Sequence, residues 1–196
     1  TCFVKEAPAR AFIRNVIVAF LPAAVIGFLA YKQIKQLLET PMVVAVALVV
    51  GGVLILVIER MNKKPVVHQV EDMSTTLAVK IGFCQVVSMI PGVSRAGATI
   101  MGSMLLGVDR RAAAEFSFFL AIPTMMGATV LSLYKNWSAL SLDDGAMIAI
   151  GFATAFLSAL VVVRGFIAFI SRHGFAPFAW YRIVLGGVAI VWLLAK

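Results

Sequence analysis

Five apolar runs, at residues 12–31, 42–58, 112–134, 146–163 continuing to 170, and 175–195, leave this chain few folds to choose from. A spanning helix needs roughly 17–25 predominantly apolar residues, and each run meets or approaches that length. Strands of an outer-membrane barrel alternate apolar and polar residues, and these runs do not. In lipid, every backbone donor and acceptor must find its partner inside the protein, which an apolar run of this length achieves only as a helix. The composition agrees: 62% of the residues are hydrophobic and 13% are charged, against about a quarter charged in soluble domains. Mean hydropathy is +1.01. The expected class is an all-α polytopic membrane protein, with five transmembrane helices.

The formal net charge of +8 does not point to nucleic acid, because the basic residues are scattered over short connections instead of forming a stripe with interleaved aromatics. They fit a membrane orientation better. Lys5, Arg10, Arg14, Arg60, Lys63, Lys64, Arg110, Arg111, Arg164 and Arg172 fall on one side, expected to be cytoplasmic, while Lys32, Lys35, Lys135 and Lys196 fall on the other. The longest hydrophilic connection, residues 59–74, reads as a solvated loop, and residues around Asp143 and Asp144 as an acidic one. Cys2 and Cys84 lie far apart and carry no assigned chemistry. His68 and His173 are loop residues without ligand-spaced partners, and no metal ligands are expected in this chain. The chain opens at Thr1 with neither an initiator methionine nor a signal-peptide pattern, so a longer parent protein is expected.

The stretch 85–107 is different in kind. It begins and ends as apolar helix, but Pro91 and Gly92 interrupt it, followed by Ser94, Arg95, Gly97 and Thr99. Proline removes a donor and glycine lets the chain turn, so one helix should stop near Ile90 and another start near Ser94. The arms, 75–90 and 94–106, are each short for a crossing, which favours a re-entrant hairpin over residues 75–107. Irregular backbone at membrane depth is tolerated where protein or a watery cavity satisfies it. Ser94 suits an N-cap, Gly107 a C-cap and Asp109 the N-cap of the following helix.

Arg95 carries the sharpest signal, since a guanidinium in hydrocarbon is costly and its fork matches phosphate oxygens. A pair with Glu115, or snorkelling to the interface, is the structural alternative. Ser94 and Thr99 are candidate phosphate donors, or they cap and bond their own backbone. Gly92, Gly97 and Gly102 permit close approach. Gln85 lines the cavity or crosslinks helices. Glu115 stands four residues after Arg111, the spacing of a surface ion pair, with cation binding as its other reading. Tyr181 and Arg182 read as an interfacial belt beside Trp180, although Arg182 is seven residues into its span.

Pro91 to Thr99, PGVSRAGAT, together with Gly82-Phe83-Cys84-Gln85, Ala114-Glu115-Phe116-Ser117-Phe118 and Ala121-Ile122-Pro123, resembles the undecaprenyl-diphosphate phosphatase family, the bacitracin-resistance proteins. The likeness runs from about Phe12 to the C-terminus. It implies hydrolysis of undecaprenyl diphosphate to the monophosphate carrier, recycling the lipid for peptidoglycan synthesis, in the inner membrane of a bacterium. Catalytic Arg95 and Ser94 are implied, with Gln85, Gly92, Ser94, Arg95, Gly97 and Thr99 binding substrate. The family is built from two inverted repeats, each a hairpin and three spans. On that plan residues 1–74 hold two spans of the first repeat and 75–196 the whole second one. The first hairpin, to which the family's glutamates, serine and histidine belong, would lie outside these residues. The resemblance also implies a divalent cation, magnesium or calcium. The expected partners are the isoprenoid diphosphate lipid and the membrane, with no nucleic acid and with a homodimer as the candidate assembly. Ala96 stands where the family usually has serine, a change of one hydroxyl. A lipid-phosphate flippase without hydrolase activity is the rival reading, because inverted repeats with broken helices also describe transporters.

Overall fold

The computed structural model describes residues 7–61, 64–136 and 144–196. Cys2, Lys5, Lys63 and Asp143, with the acidic loop around it, lie outside the described residues. The described helices are α1 (Ala7–Leu29), α2 (Tyr31–Leu38), α3 (Pro41–Arg60), α4 (Thr75–Val87), α5 (Arg95–Leu105), α6 (Arg110–Asn136), α7 (Asp144–His173) and α8 (Ala176–Leu194). Five of them, α1, α3, α6, α7 and α8, are long and apolar enough to cross a membrane, and they coincide with the five apolar runs. The chain is an all-α, multi-pass membrane protein. Pro41 occupies the first turn of α3, where its missing N–H costs nothing.

Helix α2 was not expected, since Lys32 and Lys35 read as the polar flank of a span. Its sequence YKQIKQLL joins good helix formers with a one-sided spacing of Ile34, Leu37 and Leu38. None of its residues is buried, as suits a short helix lying along an interface.

The helices α4 and α5 form an antiparallel pair. Gly102 faces Cys84 so closely that an added Cβ would come 2.5 Å from the cysteine Cβ. Small residues set the neighbouring contacts too: Gly82 of α4 meets the backbone of Ala19 in α1, and Gly52 of α3 meets Ala179 and Ile183 of α8. The outer ends of the pair are tied together. The N–H groups of Val66 and Val67 donate to the Gly107 carbonyl at 2.7 and 3.1 Å, and Asp109 N–H donates to the Val67 carbonyl at 2.8 Å. A segment that enters and leaves at one end of the bundle is a hairpin.

The connection before α4 is exposed at residues 64–66, 68, 69, 71, 72 and 74, as a solvated loop should be, and is docked to the bundle at Val67, Val70 and Met73. Glu59 accepts from Phe175 N–H at 2.7 Å and pairs with Arg110 at 3.0 Å, joining the ends of α3, α6 and α8. Buried Asn15 donates to the Met73 carbonyl at 2.6 Å and accepts from the Thr75 hydroxyl at 2.9 Å. Polar side chains here satisfy backbone that would otherwise be buried without partners.

The charges segregate by end. Lys135 sits over the ring of Tyr31 at 3.5 Å, which places it with the Lys32 and Lys35 helix. Arg14 donates to Thr75, and Arg110 pairs with Glu59, at the end where the hairpin begins and finishes. With the native cysteines replaced by alanine, single cysteines at the exposed positions His68 and Leu106 should react with an impermeant maleimide from the same face of oriented vesicles. Labelling from opposite faces would rule out re-entry.

Candidate active site

The break between α4 and α5 is built in steps. The carbonyls of Gln85, Val86 and Val87 accept from Ser88, Met89 and Ile90, so α4 tightens into three-residue turns before Pro91 ends it. This is why the regular helix stops at Val87, three residues short of the expected end at Ile90. Gly92 then takes φ +92°, a conformation glycine adopts freely, and packs against the Val44 carbonyl where no side chain would fit.

Ser94 has φ 74° and ψ 122°, the one non-glycine residue with positive φ among those described. Such backbone is costly for an L-residue and persists where the surroundings dictate it, commonly at functional sites. Ser94 caps α5 as expected, its Oγ accepting from Gly97 N–H at 3.2 Å. The hydroxyl is exposed and keeps its own hydrogen for another acceptor. Beside it the N–H groups of Arg95 and Ala96 begin α5 without intrahelical acceptors, at the positive end of the helix.

The Arg95 guanidinium makes one long contact, from Nη1 to the Ser117 carbonyl at 3.5 Å. No carboxylate pairs with it among the described residues. Glu115 instead bonds Arg111 Nε at 2.9 Å, the i,i+4 pair expected from the spacing, and the proposed structural partner of Arg95 is thereby occupied. A half-buried cation, free donors and a helix N-terminus share one turn, which suits an anion and in particular phosphate oxygens.

Thr99 stands elsewhere. It is fully buried, its hydroxyl bonds the carbonyls of Arg95 and Ala96 at 3.0 and 3.2 Å, and it meets Ser117 Oγ at 2.6 Å. These contacts lock the first turn of α5 to α6, the backbone-bonding use weighed for this residue. Gln85, also buried, reaches Thr124 of α6 from Nε2 at 3.5 Å, while its Oε1 has no protein partner. Gly97 faces Ser94 and the Arg182 guanidinium.

Arg182 is the residue that sequence reasoning undervalued. It is 9% exposed, and its guanidinium donates to the carbonyls of Gly92 at 2.8 Å, Val93 at 2.9 Å and Ala47 at 3.3 Å. It is no interfacial belt residue: it crosses from α8 to bracket the hairpin tip, in space that Gly51 leaves open. The available signal was its depth, seven residues into an apolar span and without a nearby carboxylate in sequence. From Val93 and Gly97 an apolar groove of about 210 Å³ runs between α3 and the hairpin, past Leu54, Ile55, Met101 and Leu105.

No three of His, Cys, Asp and Glu converge anywhere among the described residues. The tip itself does not fit a divalent cation, because it presents a guanidinium and N–H groups while its Gly92 and Val93 carbonyls are turned to Arg182.

Residues 2–188 match the family described as Bacitracin resistance protein BacA. The protein named undecaprenyl-diphosphatase 2 of Paramagnetospirillum magneticum is 69% identical over 193 residues, covering 98% of this chain and 74% of its own length. The undecaprenyl-diphosphatase of Sphingopyxis alaskensis is 58% identical over 96% of this chain and 71% of its own length. Undecaprenyl-diphosphatase 1 of Agrobacterium fabrum is likewise 58% identical, over 96% of this chain and 71% of its own length.

Proposed function

The chain belongs to the bacitracin resistance protein family, and on that premise we propose that it acts in hydrolysis of undecaprenyl diphosphate to the monophosphate and inorganic phosphate. The observation that carries this reading is the pairing of high identity to named diphosphatases with an Arg95 that no carboxylate among the described residues neutralises. The rival flippase reading finds no support in the names of these relatives.

In the proposed complex the diphosphate sits at the hairpin tip. Arg95 holds two phosphate oxygens through parallel charge-assisted bonds, Ser94 donates its hydroxyl, and the α5 N-terminus contributes backbone N–H groups. These groups match the charge that grows on the phosphoryl oxygens during transfer, and they need no rearrangement to do so. Thr99, Gln85 and Gly92 act one step back, fixing the turn against α6 and α3. The apolar groove leading away from Val93 suits the first isoprene units of the tail. The proposed setting is the inner membrane of a bacterium, with the product returned to cell-wall synthesis and bacitracin resistance as the consequence for the cell. The divalent cation and the homodimer that the resemblance implies stand as further proposals, and the tip offers the cation no ligands.

The tip also holds no carboxylate or histidine to move a proton. Expressed by themselves, the 196 residues are therefore expected to release little phosphate from the isoprenoid diphosphate in detergent. Fusion to the part of a longer relative that this chain does not cover should restore release. A fusion that translocates the lipid between leaflets yet liberates no phosphate would favour the flippase, and brisk release by the 196 residues alone would move the catalytic groups onto this chain.

A further inference from the structure

At the end of the bundle where α6 starts and α7 finishes, the two helices leave a groove of about 450 Å³ between them. Arg111 and Glu115 line it from α6, and Arg164, Ser171 and Arg172 line it from α7. Three guanidiniums thus share the groove with one carboxylate, and that carboxylate is committed to Arg111. Among the described residues neither Arg164 nor Arg172 has a carboxylate partner. None of these side chains takes part in the hairpin tip.

Three features distinguish the groove from a solvated basic end. Arg164 lies nine residues before the last residue of α7, about 13 Å of helical rise, so it belongs to the apolar helix and not to the turn. On a helix of 30 residues that position lies toward the end of the apolar stretch, where an arginine near the membrane surface is favoured by an anionic partner. The spacing of Arg164, Ala168 and Arg172 also puts both arginines on one face of α7, turned to the same groove. Next to the groove, residues 145–162 of α7 are exposed throughout, so an uncovered apolar surface adjoins the basic end. The occupant must therefore be anionic at one end and apolar at the other.

We propose that this groove binds the headgroup of an anionic phospholipid, with the phosphate held by Arg172 and Arg164 and the acyl chains along the bare face of α7. The local charge balance of three arginines against one glutamate complements a phosphodiester, and basic pockets between spans near the membrane surface are suited to such headgroups. Arg111 and Glu115, already paired, form the opposite wall and add no net charge.

The test uses the full-length protein in mild detergent, with native mass spectrometry after titration with dioleoyl phosphatidylglycerol or dioleoyl phosphatidylcholine. Phosphatidylglycerol should be retained at least about tenfold better, and the preference should drop roughly fivefold for each arginine lost in Arg164→Gln and Arg172→Gln. Arg172→Gln alone, at an exposed position near the helix end, guards against misfolding in the deeper variant, and Arg172→Lys should keep most of the preference. Equal binding of the two lipids, or an undiminished preference in the double variant, would overturn the proposal. So would displacement of the lipid by millimolar inorganic phosphate, which would make the groove a free-anion site.

Discussion

Turnover of the diphosphate lipid by Arg95→Lys is expected to fall by roughly 10²–10³, the effect of losing about 3–4 kcal/mol of transition-state stabilisation. Lysine keeps the charge but replaces a planar fork with a compact ammonium on a flexible stem, so phosphate would still be attracted but no longer oriented. The structure sharpens the contrast with a merely structural arginine. Among the described residues Arg95 makes one polar contact, at 3.5 Å, and Glu115 is held by Arg111 at 2.9 Å. Neither Arg95→Lys nor Arg95→Ala should therefore lower the melting temperature in detergent by much. The checking experiment measures turnover and melting for both variants in the full-length protein. Near-normal hydrolysis by Arg95→Lys, with a clear loss of stability in Arg95→Ala, would reverse the assignment.

The spans were legible because the apolar runs are long and nothing inside lipid competes with helix for a backbone that must satisfy itself. The break was equally legible from Pro91 and Gly92, and with it the cap at Ser94. What pattern reading could not supply were partners distant in sequence. Whether Arg95 met Glu115, whether Thr99 faced the cavity or its own helix, and what Arg182 was for are all questions of which helix packs beside which. The docked connection before α4 shows the same limit. Glu59 and Asn15 gain their roles only once Phe175 and Met73 are brought beside them, over 116 and 58 residues of sequence. The unusual φ of Ser94 likewise had no local signature, since serine is not a residue that seeks positive φ.

Arg182 explains how Ser94 comes to hold that conformation, and its removal is the second change of large expected effect. Two consecutive carbonyls just before Ser94 accept from its guanidinium, at 2.8 and 2.9 Å, while a third bond to Ala47 at 3.3 Å anchors the same group to α3. With the carbonyls of Gly92 and Val93 fixed, the chain has little freedom in how it enters α5. Arg182→Gln retains at most part of this bracket and should cost roughly 2–4 kcal/mol of stability, in line with losing charge-assisted hydrogen bonds and leaving buried carbonyls unpaired. Relaxation of Ser94 toward ordinary backbone would then swing Arg95 and the first N–H groups of α5 away from the phosphate. A misplacement of about 1 Å in positioning groups can lower a rate by about 10². The two consequences separate experimentally, because kcat and inhibition by inorganic phosphate can be measured well below the melting temperature of the variant. A positioning role predicts a lowered kcat and weakened phosphate inhibition there, only partly recovered by Arg182→Lys. A purely structural role predicts a lower melting temperature with kcat and phosphate inhibition intact in the molecules that remain folded, and that outcome would detach Arg182 from the chemistry at the tip.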